Sequence, residues 1–293
     1  MQKITVEYLR ERILGGACDL HMHTTASDGG STPALLAEEV IAAGLRTIAL
    51  TDHDTIEGIE PLHQRLKIIQ ASRGISTPTL ISGVEFSVDW ENQKVHLLGY
   101  VPEEICADLQ PYIDSQQQKR RERNIQMCKR LEKLGISVTI DEVEAVGNGQ
   151  NAGRPHIAKL MQRKNYVASL QEAFDDWLGK GRPAYVPRRS APLEEAVQEI
   201  RHCQGVAVIA HPQKYGWTKD RSTLFGKFKR LKEVGVVGIE TIHGEMPLNI
   251  SRFIADVADD LELLKTIGSD YHGNTKPHVR LYTKDDDFSS YLA

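Results

Sequence analysis

Short apolar or β-branched runs alternate along the chain with longer stretches whose apolar residues recur at helical spacing. The runs 17–20 (ACDL), 46–50 (RTIAL), 79–88 (TLISGVEFSV), 95–100 (VHLLGY), 206–210 (VAVIA), 236–242 (VVGIETI) and 263–268 (LLKTIG) predict strands. Helices are predicted between several of them. One opens with Thr32 as N-cap and Pro33 at its first position and stops at Gly44; the others cover 57–72, 191–204, 222–235 and 247–260. This alternation implies an α/β fold on a parallel sheet, open or closed into a barrel. Residues 103–190 break the rhythm, being helical in pattern and poor in strands, and are left near the Pro/Arg-rich GRPAYVPRRSAP. They are expected to form an inserted helical subdomain, with 1–102 and 191–293 forming the main domain.

Composition narrows the class. A chain of 293 residues, 40% hydrophobic and 26% charged, can bury a sizeable core. Its N-terminal stretch has charges spread through it, and no window approaches the roughly 20 apolar residues a membrane span needs. The four cysteines (Cys18, Cys106, Cys128, Cys203) have no CxxC spacing, which suits a reducing, cytoplasmic setting. A net charge of -4 argues against a broad nucleic-acid-binding surface but leaves room for a local anion site. Nothing points to a membrane or an obligate protein partner.

Polar residues change the picture once placed on this outline. His21 and His23, with Asp28 close behind, follow the first strand, and His53 follows the second in TDHD. Glu85 sits late in the third, His211 follows VAVIA, and Asp270 and His272 follow the last. Active sites assemble at carboxyl ends of strands in barrels and open parallel sheets alike. His96 is the exception, lying inside a strand pattern. Each motif alone is weak, since HxH occurs often by chance. Together they supply nine nitrogen or oxygen ligands, more than one metal needs. Thiolates are absent from the set, so Mn, Fe or Zn is favoured over copper(I) or an iron–sulfur cluster.

DLHMHTTASDG, LTDHDT, SGVEFS, VHLLGY, IAHP and GSDYH, in this order, resemble the motifs of the PHP (polymerase and histidinol phosphatase) family. They are most similar to its stand-alone nucleotide phosphoesterases, which act on 3',5'-nucleoside bisphosphates or as 5'-to-3' exoribonucleases. The resemblance implies a distorted (β/α)7 TIM-like barrel with three divalent ions. His21, His23, Glu85 and Asp270 would hold the first; Glu85, His96 and His211 the second, with Glu85 bridging; and Asp28, His53 and His272 the third. Catalysis would rest on Glu85, His211 and Asp270 around a metal-bound hydroxide. Three such ions carry +6 against -3 from the carboxylates Asp28, Glu85 and Asp270, so the pocket suits a phosphate.

Substrate contacts are expected from the insertion and from loops. In GNGQNAGRPHIAKL a Gly/Asn loop enters a helix whose first residue is read as Pro155, so Arg154 and His156 flank free backbone N–H groups. The match to GRPH in the resembling phosphoesterases implies that these two side chains hold a second phosphate. Lys180 is a further candidate, as is Lys214, which stands after the HP turn where relatives often carry Arg. His243 and Glu240, in or after a late strand, are candidate pocket residues. KRRERN (119–124) reads as a solvated helical face, and Trp90, Trp177 and Trp217 as packing residues, with Trp217 the best placed of them for stacking. The expected substrate is a small phosphorylated molecule, a nucleotide or the 5' end of short RNA. Histidinol phosphate phosphatase and a catalytically idle PHP binding module are the alternatives.

Overall fold

The computed structural model describes residues 3–147, 152–187 and 190–292. One sheet takes β1 (Cys18–Asp19), β2 (Thr47–Leu50), β3 (Thr79–Trp90), β4 (Gln93–Val101), β5 (Val206–Ile209), β6 (Gly238–His243) and β7 (Leu264–Gly268) in sequence order. The ends of this order also meet. The Leu20 N–H donates to Ile267 O at 3.0 Å, and Met22 bridges Tyr271 in parallel, which nearly closes the sheet into a barrel.

Six strands are parallel and β4 runs against both neighbours. The reason is local. Glu91 and Asn92 both have positive φ (47° and 60°), the two-residue hairpin geometry that matches strand twist, so β3 turns straight back into β4 with no crossover helix. The start of β4 therefore lies at the end of the barrel where the parallel strands finish.

Helices fill the other connections. Helix α1 (Val6–Leu14), absent from the sequence expectation, is capped by Thr5, whose hydroxyl accepts the Tyr8 N–H at 3.1 Å. Its Leu9 and Ile13 join Leu20, Ala49, Ile81, Leu98, Tyr100, Val208, Leu264 and Ile267 in the core cluster. Helix α2 (Pro33–Ala42) is capped by Thr32, with Gly44 in the left-handed region just beyond (φ 71°), as its sequence dictates. Helices α3 (Ile59–Arg73), Leu193–His202, Arg221–Glu233 and Leu248–Asp260 follow the predicted ranges to within a few residues. No described helix is long and apolar enough to cross a membrane.

The chain divides into two compact units, Met1–Gln110 with Ala191–Ala293, and Pro111–Ser190. The short 3-10 segment Glu103–Leu109 falls with the barrel, so the boundary lies after Gln110 instead of Pro102. In the second unit, helices α4 (Gln110–Lys133), α5 (Ile140–Val146) and α6 (Arg154–Arg163) surround a core of Met127, Leu131, Val143, Ile157, Met161 and Leu178. Arg120, Arg123 and Asn124 are buried here, so KRRERN is only partly a solvated face.

Candidate metal centre

Beyond β1 the backbone stays extended and pairs with the segment leaving β7. Asp270 N–H donates to His21 O and His23 N–H to Tyr271 O, both at 2.9 Å. Residues two apart on extended backbone point to one side, and both imidazoles are fully buried. Asp52 fixes the following turn by accepting the Thr24 N–H (2.7 Å), the Thr24 hydroxyl (2.6 Å) and the Ser27 hydroxyl (2.6 Å).

Glu85 lies at the middle of the cluster, wholly buried. Its Oε2 is 3.3 Å from His21 Nε2, 3.2 Å from His23 Nε2 and 3.0 Å from His53 Nδ1. Its Oε1 is 2.9 Å from His96 Nδ1 and 3.0 Å from His211 Nε2. The two oxygens thus face different sets of imidazoles. Asp270 Oδ1 stands 3.5 Å from His21 Nε2 and 3.3 Å from His23 Nε2. Asp28 reaches His272 Nε2 at 3.3 Å and His53 Nε2 at 3.8 Å.

Ligand-capable atoms within 4.8 Å of one another form the groups His21–His23–Glu85–Asp270, His23–Asp28–His53–His272 and His53–Glu85–His96. All nine residues singled out from the sequence converge here. His96, doubtful as an internal strand residue, arrives because β4 is antiparallel: it pairs with Ser87, two residues past Glu85. His211 and Asp270 adopt positive φ (32° and 61°), a strained backbone that ordinarily persists only where the surroundings impose it.

The electrostatics ask for cations. Burial alone would lower His21 and His23, but nearby carboxylates outweigh it: Glu85, Glu240 and Asp270 raise His21 well above its usual range, and Asp270 and Glu85 lift His23 to about 10. Burial would raise Glu85 and Asp270, yet surrounding imidazoles hold both far below the carboxylate range. Burial dominates at His53 and His211, pushing them down to about 4 and about 3 and leaving them neutral. Buried anions beside neutral imidazoles form a donor set suited to divalent first-row ions. His21 Nε2, both ring nitrogens of His23, His53 Nδ1 and Glu85 Oε2 are buried and have no hydrogen-bond partner. Buried polar groups are rarely left so; ions would satisfy Glu85 Oε2 and one nitrogen of each of these imidazoles.

Around Asp270 the structure gathers Lys214 and His243, both candidates from the sequence, with Lys276 and Glu245, which sequence reasoning missed. Its Oδ2 meets Lys276 Nζ (2.8 Å), Lys214 Nζ (3.1 Å) and His243 Nε2 (3.2 Å). Glu245 Oε2 holds the same two lysines at 2.6 and 2.9 Å. Lys276 and Glu245 lie in irregular segments with no motif to mark them. Tyr215 was also missed; its hydroxyl oxygen accepts the His96 N–H at 2.7 Å and lies 3.2 Å from His211 Nδ1. Trp217 is buried and donates to Gln93 Oε1 at 2.9 Å, which makes it a packing residue and not a stacking platform.

In the second unit, α6 begins at Arg154, one residue earlier than expected, after Gly153 as N-cap. The Arg154 guanidinium is half-buried against Phe174 and Tyr185, 5.7 and 6.0 Å from their ring centroids. His156 turns back so that its Nδ1 accepts the Gly153 N–H at 3.0 Å. Lys180 is exposed. Residues 148–151 of the Gly/Asn loop, and 188 and 189 of the Pro/Arg-rich exit, lie outside the described residues.

Residues 19–205 match the PHP domain family model. A 5'-3' exoribonuclease from Haemophilus influenzae is 32% identical over 259 residues, covering 87% of this chain and 89% of its own. A 3',5'-nucleoside bisphosphate phosphatase from Chromobacterium violaceum is 32% identical over 255 residues, covering 87% and 86%. The crystal structure of a protein from Bifidobacterium adolescentis, described as a metal-dependent phosphoesterase, is similar with a TM-score of 0.72 at 27% identity, covering 93% of both chains.

Proposed function

The chain belongs to the PHP domain family of metal-dependent phosphoesterases, and from that premise we propose that it hydrolyses a nucleotide phosphate ester at a trinuclear centre. The substrate is a 3',5'-nucleoside bisphosphate or the 5' end of a short RNA, the two chemistries named for its relatives. The observation that carries this is the placement of Glu85, whose separate oxygens face His21, His23 and His53 on one side and His96 and His211 on the other.

His21, His23, Glu85 and Asp270 would hold the first ion. Glu85, His96 and His211 would hold the second, and Asp28, His53 and His272 the third. His23 and His53 stand close enough to join neighbouring groups. Bound divalent ions supply Lewis acidity, a water of lowered pKa and neutralisation of the leaving oxygen. Glu85 and Asp270 position that charge, while Lys214, Lys276 and His243 bring N–H donors beside Asp270 that suit phosphoryl oxygens. Arg154, His156 and Lys180 are the proposed contacts to a second phosphate. The four cysteines are buried and free, in keeping with a reducing cytoplasm.

The test is a panel of phosphate esters given to Mn-loaded protein: nucleoside 3',5'-bisphosphates, nucleoside monophosphates, histidinol phosphate and 5'-phosphorylated oligoribonucleotides. Hydrolysis of the bisphosphate or stepwise release of 5' nucleotides is expected. Preference for histidinol phosphate would move the chain to that branch, and no turnover on any ester would leave an idle binding module.

Three substitutions separate recognition from chemistry. Arg154→Ala removes a charge-assisted contact worth about 1.5 to 3 kcal/mol, so kcat/KM on a 3',5'-bisphosphate should fall roughly ten- to a hundredfold. The loss should appear mainly in KM, and a simple monoester should lose much less. Equal losses on both substrates would place Arg154 at the reacting phosphate or in the fold. Asp28→Asn and His272→Ala should each release one metal equivalent and remove most turnover with the fold intact, because Asp28 and His272 lie on loops outside the core cluster. Full activity with one ion fewer would make the third site incidental.

A further inference from the structure

An imidazole binds an ion only through a nitrogen that carries no proton, so the other nitrogen needs an acceptor. For His272 that acceptor is a main-chain oxygen, Asp270 O, 2.8 Å from Nδ1; for His211 it is the Tyr215 hydroxyl. For His21 it is a full charge. Glu240 Oε1 lies 2.9 Å from His21 Nδ1, and both side chains are completely buried. The second oxygen of Glu240 is also committed, accepting the His211 backbone N–H at 2.6 Å.

The fold is shaped around this carboxylate. Pairing between β6 and β7 skips a residue just after it: Glu240 pairs with Thr266 and Ile242 with Ile267, leaving Thr241 as an extra residue. Such bulges are rare in parallel pairs and redirect nearby side chains. On β7, a Cβ added at Gly268 would lie 2.2 Å from His21 Cβ and 2.6 Å from Glu240 Oε1, so only glycine allows this approach. His211, the residue whose N–H Glu240 takes, is held in the left-handed region at φ 32°. Stability does not account for the arrangement, since burying an ion pair commonly gains nothing over well-packed apolar groups.

We propose that Glu240 is a positioning residue of the metal centre. One oxygen fixes His21 with Nε2 turned toward Glu85 and Asp270, and the other pins the main chain that carries His211. It thereby joins a ligand of the first proposed ion to a ligand of the second without touching either. The proposal rests on the metal-binding reading above, and a wild-type Zn(II) stoichiometry measured in parallel separates the two failures: if wild type binds no ion, both readings fall.

Glu240→Gln is the informative variant, because an amide keeps the size but offers one acceptor where the site uses two. Metal-stripped variant and stripped wild type should give the same near-UV circular dichroism. In Zn(II) competition against a chelator, the variant should hold its ion at the His21 site roughly ten- to a hundredfold more weakly. In a His21→Ala background the same change should cost much less, since partners acting through one another are not additive. Wild-type Zn(II) affinity in Glu240→Gln, or losses that simply add in the double variant, would overturn the proposal. Should the variant not fold, Zn-loaded wild type labelled with 15N-histidine decides the matter. The His21 ring, assigned by its disappearance in His21→Gln, should be protonated at Nδ1 and metal-bound at Nε2; the opposite tautomer overturns it.

Discussion

Exhaustive chelation is expected to abolish phosphate release, and added Mn(II) to restore it. Lewis-acid stabilisation by bound ions supplies several kcal/mol of the barrier reduction. With each 1.36 kcal/mol worth tenfold in rate, stripped protein should fall by about a thousandfold or more. Nothing in the cluster replaces that contribution. His53 and His211, pushed down to about 4 and about 3 by burial, are neutral near pH 7, and His21 and His23, raised by Glu85, Glu240 and Asp270, have their charge already matched by those buried carboxylates. Lys214 and Lys276 are each shared between Asp270 and Glu245. Phosphate release and elemental analysis on the same samples make the check. Turnover that survives in protein shown to be free of metal would remove the proposed mechanism. Zn(II) and Fe(II) belong in the same titration, because an imidazole-rich donor set does not choose among these ions by itself.

The sequence carried the frame of this site further than its details. Strand positions were legible because each run is short, β-branched and followed by a polar motif, and carboxyl ends of parallel strands converge whatever the loops do. His21, His23, His53, His211 and Asp270 could be placed on that logic alone. His96 could not, because its place depends on β4 turning back through a two-residue hairpin at Glu91 and Asn92, and neither residue is the glycine that usually marks such a turn. Glu240 stands out in the sequence only as a candidate pocket residue in a late strand, with no partner indicated. Its function as an acceptor is set by a bulge and by Gly268 on the neighbouring strand, and neither has a local sequence signature. Lys276 and Glu245 meet Asp270 from irregular segments, where no periodicity reports direction. Arg120 and Arg123 show the converse. A run of charges reads as solvated, yet a helix that packs against its surroundings buries one side whatever its composition, and Arg120 and Arg123 lie on the buried side of α4.

The substitution with the widest consequence should be Glu85→Gln. As a carboxylate, Glu85 presents an acceptor to each of two imidazole sets, with Oε2 toward His21, His23 and His53 and Oε1 toward His96 and His211. An amide has one acceptor and one N–H2 donor, so whichever way it is turned, one set loses its anionic ligand and gains a donor that repels a cation. At least one metal equivalent should be lost, with turnover reduced by about a thousandfold or more, the value of one ion's several kcal/mol. The loss should be equal for a bisphosphate and a monoester, because it falls on the charge common to both reactions; Arg154→Ala, by contrast, should discriminate between them. Metal content, near-UV circular dichroism and kcat/KM on both esters are the measurements. A folded Glu85→Gln protein that keeps three ions and turns over within tenfold of wild type would show that Glu85 does not bridge. A loss confined to the bisphosphate would move Glu85 from the ions to substrate recognition.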